Sequence, residues 1–102
     1  MFKISVLYNN PENPSAFDAY YKDKHMPLVN QIEGLLKYEI TRILSGPGGA
    51  PSDYYLMAEL YFRDEAQMQE SMGSPEGQAT TDDLANFAFA GVQILIGHTL
   101  DL

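Results

Sequence analysis

Tyr20, Tyr21 and His25 fall within one short run, and Pro27 follows two positions after the histidine. Histidine is the side chain that changes charge near neutral pH without help from its surroundings, so a reading for proton-transfer chemistry starts at His25. A neutral imidazole can take a proton from carbon next to a carbonyl. A tyrosine hydroxyl beside it can donate a hydrogen bond to the oxygen on which charge develops. That pairing suits cyclisation, dehydration or isomerisation. Neighbouring residues on a helix are turned by about 100° from one another, so Tyr20 and Tyr21 cannot face the same way. Tyr21, four positions before His25, shares its face and is the better partner. His25, Tyr21 and Tyr20 are therefore the candidate catalytic residues. The plainer alternatives are a histidine that only ties down the turn before Pro27, and tyrosines that pack in the core with their hydroxyls at water.

Phe17 and Leu28 lie on the same segment at helical spacing and are candidate pocket-lining residues. His98 ends the last apolar strand on the parity of Val92, Ile94 and Ile96, which places it at the far rim of the same cavity; a hydrogen-bonded histidine near the chain end is the competing reading. Two widely separated histidines, no His-x-His or Glu-x-x-His pattern and no cysteine specify no metal site and imply no cofactor. Gly46-Pro47-Gly48-Gly49 lacks the Gly-Lys-Ser/Thr ending of a phosphate loop and reads as a hairpin connection. Arg42 and Glu59 are read as an ion pair between central strands, and Asp82 and Asp83 as solvated residues of a helical turn. The methionines read as adaptable packing.

These side chains need elements to carry them. Phe2, Ile4, Val6 and Tyr8 alternate with Lys3, Ser5 and Leu7, the period of a half-buried strand. After the loop Asn9 to Pro14, Ser15 is the expected N-cap and a helix starts near Ala16, with Phe17, Tyr20, Tyr21, Lys24 and Leu28 at three- and four-residue spacing. Pro27 disfavours helical geometry at Met26, so the helix is expected to break at His25 and resume through Val29 and Ile32, with Gly34 as its stop. Leu35 to Leu44 and Tyr54 to Phe62 read as strands two and three. Asp64 with Gln67 in capping-box spacing starts a second helix, which Ser74-Pro75-Glu76 restarts toward Phe87 and Phe89. Gly91 to Thr99 is the last strand.

The order is β-α-β-β-α-β, an α+β, ferredoxin-like arrangement in which helices cover one face of a four-stranded antiparallel sheet. In strand three, Leu56, Ala58, Leu60 and Phe62 form one row and Tyr55, Met57, Glu59 and Tyr61 the other. Both rows are largely apolar, so a homodimer through the second sheet face is expected.

The chain has 102 residues, 45% hydrophobic and 20% charged, which suits one ordinary globular domain over residues 1–102. A formal net charge of -8 repels phosphate backbones and anionic membranes, so nucleic-acid binding is not expected. No run is long and apolar enough for a membrane span, and the start lacks signal-peptide character; a cytoplasmic location is expected.

Lys3-Ile4-Ser5-Val6-Leu7-Tyr8, Phe17-Asp18-Ala19-Tyr20-Tyr21 leading to His25-Met26-Pro27-Leu28, Gly34-Leu35, and Tyr61-Phe62-Arg63-Asp64 together resemble the EthD proteins of the dimeric α/β-barrel superfamily, over nearly the whole chain. The family takes its name from ethyl tert-butyl ether degradation. The resemblance implies the ferredoxin-like fold, a homodimer, and a role in binding a hydrophobic or aromatic catabolite. Its superfamily includes cofactor-free monooxygenases, cyclases, lactone isomerases and haem-handling enzymes, so a cofactor-free enzyme using His25 is one expectation, with haem ligation by His25 or His98 the less favoured alternative. A non-catalytic ligand carrier or accessory protein of a catabolic oxygenase system is the other. Fold alone does not choose between them.

Overall fold

A computed structural model describes all of residues 1–102. Strand β1 (Phe2–Asn9) buries Ile4, Val6 and Tyr8, the alternate residues its pattern marks as inward. It lies between β3 (Tyr54–Phe62) and β4 (Val92–His98), and β2 (Lys37–Arg42) pairs with the outer side of β3, giving the antiparallel order β2-β3-β1-β4. Val6 stands opposite Ala58 on one side and Ile94 on the other, so one face collects the aliphatic side chains of several strands. Helices cover this face, and the fold is the expected α+β, ferredoxin-like β-α-β-β-α-β sandwich.

The first helix differs from expectation at both ends, for local reasons. Asn13, not Ser15, is the cap: its Oδ1 accepts from the Ala16 N–H at 3.1 Å, and Pro14 takes the first helical position, where a missing N–H costs nothing. Helix α1 (Pro14–Tyr20) then continues without a break at His25. Tyr21–His25 form a wider π turn in which the Met26 N–H donates to the Tyr21 carbonyl five residues back, and the chain runs straight into α2 (Met26–Val29). Met26 keeps helical angles, φ -56° and ψ -41°. Proline has no N–H to offer and its ring presses on the carbonyl four residues back; a widened turn relieves that contact without ending the helix.

This turn decides which residues face inward. The buried stripe is Phe17, Tyr21, His25 and Val29, spaced by four throughout. On a regular α-helix each such step drifts by about 40°, and the extra residue in the π turn takes up the drift. Lys24 and Leu28, expected on the stripe, are exposed and half-buried.

Helices α3 (Glu65–Gly73) and α4 (Pro75–Asp83) are capped by Asp64 and Ser74, whose side chains accept from the Gln67 and Gly77 N–H groups at 2.8 and 3.1 Å. The Gln67 side chain does not complete the box but reaches forward to Ser71. Gly77 lets the helices approach: a Cβ there would lie 2.3 Å from the Ser71 carbonyl oxygen.

Two strand expectations are corrected. A register irregularity at Asn9, which pairs with Tyr54 while Tyr8 pairs with Leu56, leaves Tyr55 as an extra residue in β3. Such a bulge re-aims a side chain, and Tyr55 packs against Phe17 at 5.4 Å instead of joining the opposite row. Arg42 and Glu59 do not pair, because β2 is an edge strand and Arg42 stands opposite Leu56. Arg42 bonds Asp18 at 2.9 Å above the Tyr55 ring, while Glu59 takes Lys3 at 2.7 Å.

The helices leave β4 thinly covered, with Ile94 and Ile96 47% and 59% exposed although both point to the helix side. No helix is long and apolar enough to cross a membrane.

Candidate functional site

Asp83, the last residue of α4, is buried rather than solvated as expected. Its Oδ2 lies 2.9 Å from Nδ1 of His25, and its Oδ1 accepts from the Tyr20 hydroxyl at 2.6 Å and the Asn86 amide at 3.0 Å. Burial pushes the Asp83 carboxyl up, but the bonds from Asn86, Tyr20 and His25 outweigh it and hold the group below its ordinary range. Burial pushes the His25 imidazole below its ordinary value, with Asp83 opposing. His25 is thus neutral near neutral pH, and a carboxylate can only accept, so the ring hydrogen sits on Nδ1. Nε2 carries the free lone pair and has no protein partner. The rings of Phe87 and Tyr21 stand 4.7 and 5.1 Å from the imidazole and fix its place.

His25 lines a cavity of about 190 Å³ between helices and sheet. Its walls are mostly apolar: Ile4, Val6, Leu60 and Ala58 of the sheet, Val29, Met68, Met72 and Leu84 of the helices, and Ile94 and Ile96 at the open side beside β4. Its main polar feature besides His25 is a hydroxyl pair, Tyr21 hydrogen-bonded to Tyr38, with Tyr8 adjoining. Burial first pushes both Tyr21 and Tyr38 well above the ordinary tyrosine range; Tyr8 adds to it for Tyr21, against the opposing bond with Tyr38, and Tyr21 adds to it for Tyr38. They remain donors, not bases. One hydroxyl donates to the other, which leaves one proton for an acceptor in the cavity.

The structure brings together only part of the expected set. His25 and Tyr21 meet in the cavity. Tyr20 stands behind, holding Asp83, and lines a separate outer cleft of about 490 Å³ together with Phe17, Asn86, Phe87 and Phe89. Leu28 lines neither space. His98 lies beyond the cavity rim, exposed, stacked on Phe2 at 6.4 Å and bonded through Nδ1 to the Thr99 carbonyl, the hydrogen-bonded alternative read for it. Asp83 and Tyr38 were missed. A signal for Asp83 existed, since Thr80, Asp83 and Phe87 recur at three- and four-residue spacing and are all buried. Tyr38 shares the inward parity of Ile40. No group of three or more His, Cys, Asp or Glu side chains is placed to hold a metal ion.

The ferredoxin-like sandwich thus holds an apolar cavity whose wall carries a carboxylate-anchored neutral histidine and a tyrosine pair. Residues 9–90 match the EthD domain, and the chain belongs to the EthD family. It is similar to an uncharacterized 11.0 kDa protein of the thcB-thcC intergenic region of Rhodococcus erythropolis, 42% identical over 95 residues that cover 93% of this chain and 91% of that one. The crystal structure of an EthD family protein (bh0200) of Bacillus halodurans superposes with a TM-score of 0.93 at 38% identity, covering 98% of this chain and 99% of the other. SnoaB of Streptomyces nogalater, a cofactor-independent oxygenase, has a TM-score of 0.67 over 99% of this chain and 93% of its own, at 9% identity, a likeness of fold alone.

Proposed function

We propose that this protein is a cofactor-free enzyme of the cyclase, isomerase or monooxygenase type, acting on a hydrophobic or aromatic catabolite, with His25 as general base and Tyr21 and Tyr38 as hydrogen-bond donors. The observation that carries the reading is His25 in the wall of an apolar cavity, its Nδ1 held by Asp83 and its Nε2 without a protein partner, with a tyrosine pair in the same wall. Tyr20 acts through Asp83 as a positioning residue. SnoaB supports the reading to the extent that the same architecture hosts chemistry without a cofactor.

The working unit is a homodimer formed sheet face to sheet face. Support comes from the face away from the helices, where Leu7, Met57, Tyr61 and Leu95 surround the Lys3–Glu59 pair and Leu95 is 56% exposed.

Acetophenone tests the base. Its methyl hydrogens exchange in deuterated water through an enol, and proton NMR follows the loss. The wild-type protein should accelerate exchange, and His25→Gln should lower the rate by ~100-fold or more while the protein still folds. Exchange no faster with wild type than in buffer alone, although acetophenone binds, would assign the protein to the carrier class; exchange equally fast in wild type, His25→Gln and His25→Asn would remove His25 as the base.

A further inference from the structure

We propose that the inner cavity selects a neutral, single-ring compound bearing one carbonyl or tautomeric hydroxyl oxygen, and that carboxylates and larger ring systems are disfavoured; this rests on the reading of His25 as a base facing the cavity.

Size is the first argument. A cavity of about 190 Å³ stands next to the ~150 Å³ of an engineered apolar cavity that takes benzene, so one ring with a short substituent fills it. The aromatic wall is braced: Tyr8 and Tyr21 meet edge-on at 5.7 Å, and Phe87 packs against both at 5.6 and 5.8 Å. Met68 and Met72 can change rotamer to fit a substituent. A second ring would have to leave the cavity past Ile94 and Ile96 into water.

Charge is the second. No lysine or arginine lines the cavity. Lys3 is paired with Glu59, Lys37 with Glu39, Arg42 with Asp18 and Arg63 with Asp64, and Lys22 and Lys24 are exposed. The ionised group nearest His25 is the Asp83 carboxylate behind its ring. A ligand carboxylate would lose its water with no cation to replace it and an anion close by.

Polar complementarity is the third. Thr80 and Thr81 donate their hydroxyls to the Glu76 and Gly77 carbonyls, so they offer no free proton. What remains is the cluster of tyrosine hydroxyls in the wall, Tyr8 beside the Tyr21–Tyr38 pair, to donate to an acceptor, and one imidazole lone pair for a proton. A ring-bound ketone meets both. Nε2 takes a proton from the carbon next to the carbonyl, the C–H electron pair becomes a C=C bond, and the carbonyl oxygen becomes an enolate oxygen held by the tyrosine hydroxyl. Where the ketone has a β,γ double bond the enolate is a dienolate, and return of the proton to its γ-carbon gives the conjugated isomer and restores the neutral histidine, with no further reactant.

The test is a matched binding series read by ligand-observed NMR titration: acetophenone, benzoate with the same ring and a charge, 2-acetylnaphthalene with a second ring, and toluene without the oxygen. Acetophenone is expected to bind at least ~10-fold more tightly than benzoate and no less tightly than 2-acetylnaphthalene. Tyr38→Phe is expected to weaken acetophenone several-fold and leave toluene unchanged. Benzoate matching acetophenone, the naphthyl ketone binding more tightly, equal losses for acetophenone and toluene in Tyr38→Phe, or no binding by acetophenone overturns the proposal. Selective acetophenone binding that persists in wild type and His25→Gln without any catalysed exchange would instead overturn the base and leave the ligand class standing.

Discussion

Nδ1 of His25 lies 2.9 Å from Oδ2 of Asp83, across 58 positions of sequence, and this contact joins the first helical segment to the end of α4. It sets the tautomer of the imidazole and leaves Nε2 without a protein partner on a residue that lines the cavity. Residues on both sides of the contact are therefore parts of one device.

Asp83→Asn keeps the shape of the side chain and removes the anion. The introduced amide can donate to Nδ1, which moves the ring hydrogen to Nε2 and abolishes the base. Exchange of acetophenone hydrogens should fall by ~100-fold or more while acetophenone binding is retained. If binding and exchange decline together, Asp83 serves packing alone.

Acid should weaken the fold through this pair. His25 has its pKa lowered from 6.5 in the folded state, so as pH falls the unfolded chain takes the proton first. Its contribution is complete above about pH 6.5 and is lost below that as pH falls toward the folded value. Asp83 acts in the same sense at lower pH, its contribution present above 3.8 and lost as pH falls through its depressed folded pKa. Besides Asp83, the titratable groups around His25 are Tyr21 beside it, Tyr8 and Tyr38 in the same cavity wall and Tyr20 behind Asp83, all raised and neutral in this range. Urea midpoints measured at about pH 7.5 and about pH 5.5 should fall more for wild type than for His25→Gln. Equal falls would remove His25 from the acid response. The exchange rate should show its acid limb below the 6.5 of an ordinary histidine.

Light scattering at micromolar concentration should return twice the chain mass of 11.4 kDa. Leu7→Lys together with Met57→Lys places like charges on adjacent strands of the proposed interface and should return a single chain. A wild-type monomer would end the dimer proposal.

Gly77→Ala should destabilise the protein by about 1–3 kcal/mol, because the added Cβ meets main-chain atoms of Ser71 and Met72 that cannot rotate away. Denaturant unfolding reads the loss directly. A change of a few tenths would mean that α3 and α4 can part without cost.

Much of this architecture was legible locally. Strand period two, the caps at Asp64 and Ser74, and the shared face of Tyr21 and His25 follow from short-range geometry, and the structure keeps them. The errors arose where two local rules compete. Pro27 argues for a break, yet a π turn satisfies it more cheaply than ending a helix whose inward stripe continues to Val29. Tyr55 obeyed strand alternation on paper until a bulge turned it inward.

From residue types and spacing alone, the element order, the family resemblance and His25 with Tyr21 as the chemical centre could be read, since each depends on neighbours within a few positions. Tertiary structure alone decided that Asp83 holds the imidazole, that Tyr38 completes the hydroxyl pair, and that Tyr20 and His98 stand outside the cavity. Those outcomes depend on how helices cross a sheet and where the chain returns. Such contacts between distant positions leave no period or motif that either segment carries by itself.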